Sequence, residues 1–392
     1  MRDRAAVTYW QDFTTRYQFP VVFGRGLLAP DSDVLINALC IQEPEKRHKI
    51  LVVVDAGLAE VVPDLMSKVI RHVDVHSAGM ELICPPIALP GGESVKDSDR
   101  FFWKLMQKVQ TLGVDRHSYV ISIGGGSLLD LVGFVAATAH RGIRHIRMPT
   151  TVLAQCDSGV GVKNAINFGS SKNFTGTFAP PWAVLNDFDF LDVLPPRDRI
   201  SGMAEAVKVS LIRDREFFLF LESAVDRLAN FELESVEALV IRSAELHMAQ
   251  ISQGGDPFET GSSRPLDFGH WAAHRLEVLS AYELSHGEAV AIGLALDAHY
   301  SALIGLLSTS DCERIVYVLS RLGFSLWHPA LLKEDANGRR AVLEGLRQFQ
   351  EHLGGRLTIT LLSDLGTGVD VHEIKEDTVL EAIGRLRERF AT

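Results

Sequence analysis

The first half of the chain is built from short apolar runs separated by turn signals. Ile50-Leu-Val-Val-Val-Asp55 is continuous and β-branched, the pattern of a strand buried on both faces, and it ends in an acid. Tyr119-Val-Ile-Ser-Ile repeats that pattern and runs straight into Gly124-Gly-Gly-Ser-Leu-Leu-Asp130. The period then lengthens to that of a helix, from Leu128 to Ala139. His145-Ile-Arg-Met-Pro is a third strand, ending at Thr150-Thr151. Repeated strand–turn–helix units predict an α/β fold with a mostly parallel sheet. Around Leu194-Pro195-Pro196-Arg197-Asp198 the pattern changes. From Gly202 to about Leu346 it is mainly that of amphipathic helices, one of them from Gly287 to Leu307. Leu357-Thr-Ile-Thr-Leu-Leu is a late strand, and Asp377 to Phe390 a last helix. Two domains are expected, an α/β domain over 1–198 and a mainly helical one over 199–392.

Composition narrows the partners. Of 392 residues, 46% are hydrophobic and 23% charged, enough apolar surface for a core in each domain. The formal net charge of −11, with no Lys/Arg run, argues against nucleic acid or an anionic membrane. Four scattered cysteines without a CxxC pair fit a reducing compartment. With no apolar leader at the N-terminus and no membrane-length apolar run, a cytoplasmic protein is expected.

Three groups of residues carry candidate chemistry. The first is Asp267-Phe-Gly-His270-Trp-Ala-Ala-His274 followed by Ser285-His286-Gly-Glu288, together with Gly202-Met-Ala-Glu205-Ala-Val-Lys208. His270 and His274 share one helical face, as do Glu205 and Lys208. A carboxylate with two or three imidazoles is the donor set of a catalytic zinc with an open position. The second is Gly124-Gly125-Gly126 between a strand and a helix, where a pyrophosphate can approach backbone N–H groups. Asp55 stands where the acceptor for an adenosine ribose is expected, and Asp130 can reach a ribose hydroxyl or the nicotinamide end, so a Rossmann-like first domain is expected. Pro90-Gly-Gly-Glu93-Ser-Val-Lys96 adds an acid and a base on one loop. The third group is cationic: Arg141, Lys163 in the Gly-punctuated stretch Cys156-Asp157-Ser-Gly-Val-Gly-Val-Lys163-Asn164, and Lys172-Asn173. Cations on separate loops at strand ends suit a phosphate in an inter-domain crevice.

The order PGGESVK, GGGSLLD, RGIRHIRMPTT, DSGVGVKNAIN, SKNFTG, MAEAVK, FGHWAAH, HGEAV, spread from about Asp55 to Leu362, resembles the sugar phosphate cyclase superfamily, which includes 3-dehydroquinate synthase. The resemblance implies NAD in the N-terminal domain, a divalent metal (Zn2+, replaceable by Co2+) in the helical one, and a homodimer. It implies Glu205, His270 and His286 as metal ligands. It implies NAD contacts from Asp55, Glu93, Lys96, Gly125, Gly126, Asp130, Thr150, Thr151 and Lys172. Contacts to a phosphorylated sugar would come from Arg141, Asp157, Lys163, Asn173, Lys208 and His274, with Arg264 and Asp267 beside them. The implied reaction is transient oxidation of a ring carbinol, phosphate elimination, return of the hydride, ring opening and aldol closure, a lyase reaction overall. His274 is the expected proton shuttle.

Several positions depart from the dehydroquinate-forming branch. Asp267 stands where that branch has Asn, and Asn164 where it has Thr. A usual Lys is missing before the D-x-x-E segment, where the chain has His247-Met-Ala-Gln250. The Arg expected to meet a substrate carboxylate is displaced by one residue, at Arg264. Gln350-Glu351-His352 replaces a Lys pair. A carboxylate buried without a cation is costly, so the expected substrate is uncarboxylated: sedoheptulose 7-phosphate, giving a valiolone-type cyclitol. Enzymes of that branch also carry an Arg three residues before Asp267, but those making 2-epi-5-epi-valiolone usually have Pro where this chain has His274. The alternatives are a 3-dehydroquinate synthase and a metal-dependent polyol dehydrogenase. A simple alcohol needs no phosphate pocket, which argues against the dehydrogenase.

Overall fold

The structure is a computed structural model and describes residue 6 and residues 8–97, 99–169, 171–259, 266–353 and 356–391. Its main sheet is wholly parallel. The strands are β1 (Val21–Gly24), β2 (His48–Asp55), β3 (Met80–Leu82), β4 (Ile87–Leu89), β5 (Tyr119–Gly124) and β6 (Arg144–Pro149). An antiparallel hairpin of β7 (Lys163–Phe168) and β8 (Ser171–Phe178) follows, and β9 (Ala183–Asp187) returns to the sheet. The spatial order is β1-β9-β6-β5-β2-β3, with β4 pairing the end of β2.

The unbroken apolar run of β2 has a direct cause. Ile50, Val52 and Val54 enter one core with Leu65, Val69 and Ile121, and Leu51 and Val53 enter another with Leu105, Leu131 and Val135. Helices cover both faces, so every position must be apolar. From β2 the chain goes first to β3 and β4 on one side, then crosses to β5 and β6 on the other. The reversal lies between β2 and β5, and a crevice opens outside their carboxyl ends, which carry Asp55 and Gly124.

The helical half packs around the helix His286–Leu303, buried from Ala289 to Ser301. This helix is a core element, apolar on nearly all sides, and not the amphipathic helix expected over Gly287 to Leu307. It stops at Leu303, and Gly305 then turns the chain with a φ of 76°. The late strand is Ile359–Asp364 (β10), and it pairs with Thr367–Val371 (β11), a strand whose mixed pattern hides it in the sequence. Among the described residues no helix is long and apolar enough to cross a membrane.

The expected loop from Cys156 to Asn164 is a π-helical turn, Ala154–Ser158, that leads into β7. Arg147, in the middle of β6 and 0% exposed, holds it in place. Its Nη1 donates to the carbonyls of Gly159 at 3.1 Å and Gly161 at 2.7 Å, and its Nη2 to Lys163 O at 3.1 Å and Asn164 Oδ1 at 2.7 Å. Burial pulls the guanidinium down to about 10. Asn164, the residue that departs from Thr, is occupied here: it also donates to Ala179 O at 3.1 Å. Replacing Arg147 by Met would strand these acceptors. The urea midpoint should fall by the equivalent of about 3 kcal/mol or more.

Candidate active site

The Gly-rich turn sits at the switch point. Gly125 precedes the helix Gly126–Thr138, whose first N–H groups face the crevice mouth without a side-chain cap. The turn is tightly enclosed. A Cβ on Gly124 would stand 3.1 Å from the Asp55 Cβ, one on Gly125 3.3 Å from Thr151, and one on Gly126 2.6 Å from Ser158 Oγ. Asp55 caps the next helix, accepting from Gly57 N at 2.9 Å, and Thr150 N donates to Gly124 O at 3.1 Å.

Beside it lies a polar network. Lys96, 3% exposed, donates to Asp130 Oδ2 at 2.9 Å and to Asn173 Oδ1, and lies 3.5 Å from Glu93 Oε1. Burial alone would lower the Lys96 pKa, but Asp130 and Glu93 raise it, so the ammonium stays charged. Ser127 Oγ donates to Glu93 Oε2 at 2.8 Å, Asn167 Nδ2 to Glu93 Oε1 at 3.1 Å, and Asn173 N to Asn167 Oδ1 at 2.9 Å. Sequence reasoning missed Asn167 and Ser127. Their only signal was proximity to the motifs NAIN and GGGS.

Across the crevice, three elements bring the metal candidates together. Glu205 lies on the helix Met203–Arg213, His270 opens the helix His270–Leu279, and His286 opens the core helix behind a Ser285/Glu288 capping box. Glu205 Oε1 is 3.5 Å from His270 Nε2 and 3.3 Å from His286 Nε2. The outer nitrogens are also engaged: His270 Nδ1 donates to Phe268 O at 3.1 Å, and His286 Nδ1 lies 3.4 Å from Glu277 Oε2. Such outer partners turn both Nε2 atoms toward Glu205. Glu205 is 2% exposed, and neither of its carboxylate oxygens receives a well-formed hydrogen bond. A buried carboxylate that faces two oriented imidazoles, with Lys208 as its one cation, fits a divalent cation. Burial would lower the His286 pKa, but Glu205 and Glu277 together raise it to about 10, a measure of the negative field at this point.

Glu277 was not anticipated. It accepts from Lys172 Nζ at 2.7 Å, whose ammonium also lies 5.0 Å from the Tyr282 ring. Lys172 therefore reaches the histidine cluster through Glu277 as well as sitting beside Glu93. Lys208, buried, pairs with Glu205; burial would lower its pKa, but Glu205, Asp157 and Asp267 hold it up at about 12. Burial would raise the Asp157 carboxyl, but His247 and Lys208 hold it at about 2. His274 opens to the crevice, its ring 5.9 Å from that of His286. Desolvation, then His270 and His286, keeps its pKa below the ordinary value, so the ring is neutral at neutral pH. Lys163 begins β7 at the lip, 58% exposed, and pairs with Glu259 at 2.6 Å.

Two expected contacts are not found with the rest. Arg141 follows the helix Gly126–Thr138 and precedes β6, so one helix length separates it from the Gly-rich turn, and it lies toward the amino ends of the strands. Arg264 falls outside the described residues.

Residues 86–201 match the family described as 3-dehydroquinate synthase N-terminal, and residues 202–342 match 3-dehydroquinate synthase C-terminal. The chain belongs to the 3-dehydroquinate synthase family. A 3-dehydroquinate synthase from Xylella fastidiosa (strain M12) is 34% identical over 331 residues, 83% of this chain and 87% of that protein. One from Methylococcus capsulatus (strain ATCC 33009 / NCIMB 11132 / Bath) is 34% identical over 350 residues, 89% of this chain and 90% of that protein. Among solved structures, ValA, a 2-epi-5-epi-valiolone synthase from Streptomyces hygroscopicus subsp. jinggangensis 5008 with NAD+ and Zn2+ bound, superposes with a TM-score of 0.85 at 27% identity, over 97% of this chain and 100% of that one. A probable glycerol dehydrogenase from Sinorhizobium meliloti 1021, at 16% identity and a TM-score of 0.58 over 95% of this chain and 97% of that one, shares the fold.

The two histidine helices meet through glycine. Gly269 has a φ of 77°, and a Cβ there would stand 2.7 Å from Leu294 N. Asp297 locks the same crossing, accepting from Gly269 N at 3.0 Å and Trp271 Nε1 at 2.9 Å. Gly269→Ala should cost about 2–5 kcal/mol from left-handed strain plus overpacking. Its thermal midpoint should fall, and its retained zinc, measured by elemental analysis, should fall with it.

Proposed function

We propose that this enzyme, by family a phosphate-eliminating sugar phosphate cyclase that uses NAD and a divalent metal, acts on sedoheptulose 7-phosphate and forms a valiolone-type cyclitol. One observation carries the substrate assignment. Among the described residues, each crevice lysine already has a carboxylate partner: Lys96 with Asp130, Lys172 with Glu277, Lys208 with Glu205 and Lys163 with Glu259. The first three pairs are buried or nearly so, and breaking one to serve a substrate carboxylate would leave an unpaired charge, at about 3–5 kcal/mol. The exposed Lys163 pair is worth at most about 1 kcal/mol, so a phosphate can take that lysine.

The residues divide by half, 1–198 for the dinucleotide and 199–392 for the metal. Asp55, Glu93, Lys96, Gly125, Gly126, Asp130, Thr150, Thr151 and Lys172 line or support the NAD side. Glu205, His270 and His286 would hold the metal. When bound, NAD accepts and returns a hydride, and the metal acidifies the carbinol oxygen. Asp157 and Lys208 hold the proton network beneath the sugar, with Asp267 next to Lys208. His274, neutral and open to the crevice, takes and returns the proton of the reacting carbon or hydroxyl. Lys163 and Asn173 hold the phosphate, with Arg264 as a further contact. The same reading includes a homodimer, with Arg141 as a phosphate contact. A cytoplasmic setting fits the four free cysteines.

The relatives favour a second reading, since two that cover most of this chain are named 3-dehydroquinate synthase. Parallel assays separate the two. With NAD+ and a divalent metal, kcat/KM for phosphate release should favour sedoheptulose 7-phosphate over the carboxylated 3-deoxy-arabino-heptulosonate 7-phosphate by about tenfold or more, the worth of one charge-assisted hydrogen bond. Release from the carboxylated sugar alone would establish a divergent 3-dehydroquinate synthase. Product formed under limiting NAD+ should exceed the NAD+ supplied, whereas stoichiometric NADH would mark a dehydrogenase. His270→Ala should lose bound metal and activity together, and full metal content in that variant would remove His270 from the ligand set.

A further inference from the structure

His286 stands between two carboxylates. Its Nε2 lies 3.3 Å from Glu205 Oε1 and its Nδ1 lies 3.4 Å from Glu277 Oε2. The first contact belongs to the ligand set described above, and the second opens onto another. His274 and Glu277 are three apart on the helix His270–Leu279, so they share a face. One donor atom from each of His274, Glu277 and His286 lies within 4.8 Å of the other two. Donors held about 2.0–2.2 Å from a tetrahedral ion lie roughly 3.3–3.6 Å apart. Glu277 and His286 already meet that spacing. His274 is the member exposed to the crevice, so it has room to close on an ion and lies where an ion would enter. Glu277 is buried, and its other oxygen, Oε1, accepts from Lys172 Nζ at 2.7 Å, which leaves Oε2 turned to His286.

We infer that His274, Glu277 and His286 form a second, weaker site for a divalent cation of the zinc class, and that an ion there inhibits the enzyme by occupying His274. This rests on the reading of Glu205, His270 and His286 as ligands of the first ion. Two imidazoles and a carboxylate favour Zn2+ or Co2+ over Mg2+, which takes oxygen donors and sheds its water reluctantly. With both sites filled, His286 bridges the ions through its two nitrogens, and its Nδ1 proton passes to solvent. Two charges weaken the second site: that of the first ion across the ring, and the Lys172 ammonium on Glu277. The catalytic ion therefore binds first and the second ion only when metal is in excess. Once it is bound, the His274 lone pair is committed to the ion and no longer takes a proton.

The test titrates the full chain, with NAD+ present, with Co2+, whose visible absorption changes with its donor set. Equilibrium dialysis should show a tight step for the first ion and a weaker step for a second. Phosphate release, from whichever of the two sugar phosphates the wild type turns over, should fall as the weaker step fills. His274→Ala, at a position exposed to the crevice, should keep the tight step and lose the weaker one. Lys172→Met should tighten the weaker step by about tenfold, the effect of removing one nearby charge. A merely structural role for His274 and Glu277 would leave wild type with the tight step alone. That result, or a weaker step undiminished in His274→Ala, overturns the inference. The first site is judged separately. His270→Ala should lose the tight step and keep the weaker one, and a tight step retained there overturns the first ligand set instead.

Discussion

The site depends on one electrostatic constraint, a carboxylate held almost out of water. Glu205 is 2% exposed and its oxygens lack well-formed hydrogen bonds. A charge in that position is tolerable only if other charges or lone pairs are arranged around it. Lys208, one turn along the same helix, provides the positive charge, and the Nε2 atoms of His270 and His286 provide the remaining approach. Much of the helical half serves to hold this arrangement. The capping box at Ser285 sets where His286 projects. The Gly269 crossing and Asp297 set where His270 projects, and Glu277 with Lys172 sets the tilt of the His286 ring.

The sheet supplies the facing wall by a different route. Strand order reverses between β2 and β5, so Asp55 and the Gly-rich turn face an opening instead of a neighbouring crossover. The turn that carries Asp157 would otherwise be a loose excursion. Arg147, planted in β6, gathers its carbonyls and fixes it against the sheet. Two polar systems, one around Lys96 and one around Glu205, thereby meet across a single crevice. Lys172 pairs with Glu277 and acts on Glu93 through space.

Much of this was legible in the order of residues. The buried run at Ile50–Asp55, the strand feeding Gly124–Gly126 and the histidine spacing at His270 and His286 each have a local cause, and local causes survive in a sequence. The contacts of Arg147, Glu277 and His247 did not show. Arg147 looks like a polar interruption in a strand, Glu277 like a helix acid and His247 like one more helix histidine. Each meets a partner elsewhere in the chain: Gly161, Lys172 and Asp157 respectively. Arg141 is the converse case. Its neighbourhood in sequence pointed to the crevice, but the helix before it carries the chain back to the amino ends of the strands.

The sequence by itself therefore determined the fold class, the sheet with its glycine turn, and the residue types available for a metal and a dinucleotide. Periodicity and turn chemistry are short-range properties, and these features depend on them alone. The tertiary structure decided which charges neutralise one another, which imidazole nitrogen faces inward, and which lysine pairs are buried and which exposed. Those outcomes depend on distances of 3 to 4 Å between residues remote in sequence, as between Glu205 and His286. At that range, burial and pairing set the sign of every interaction.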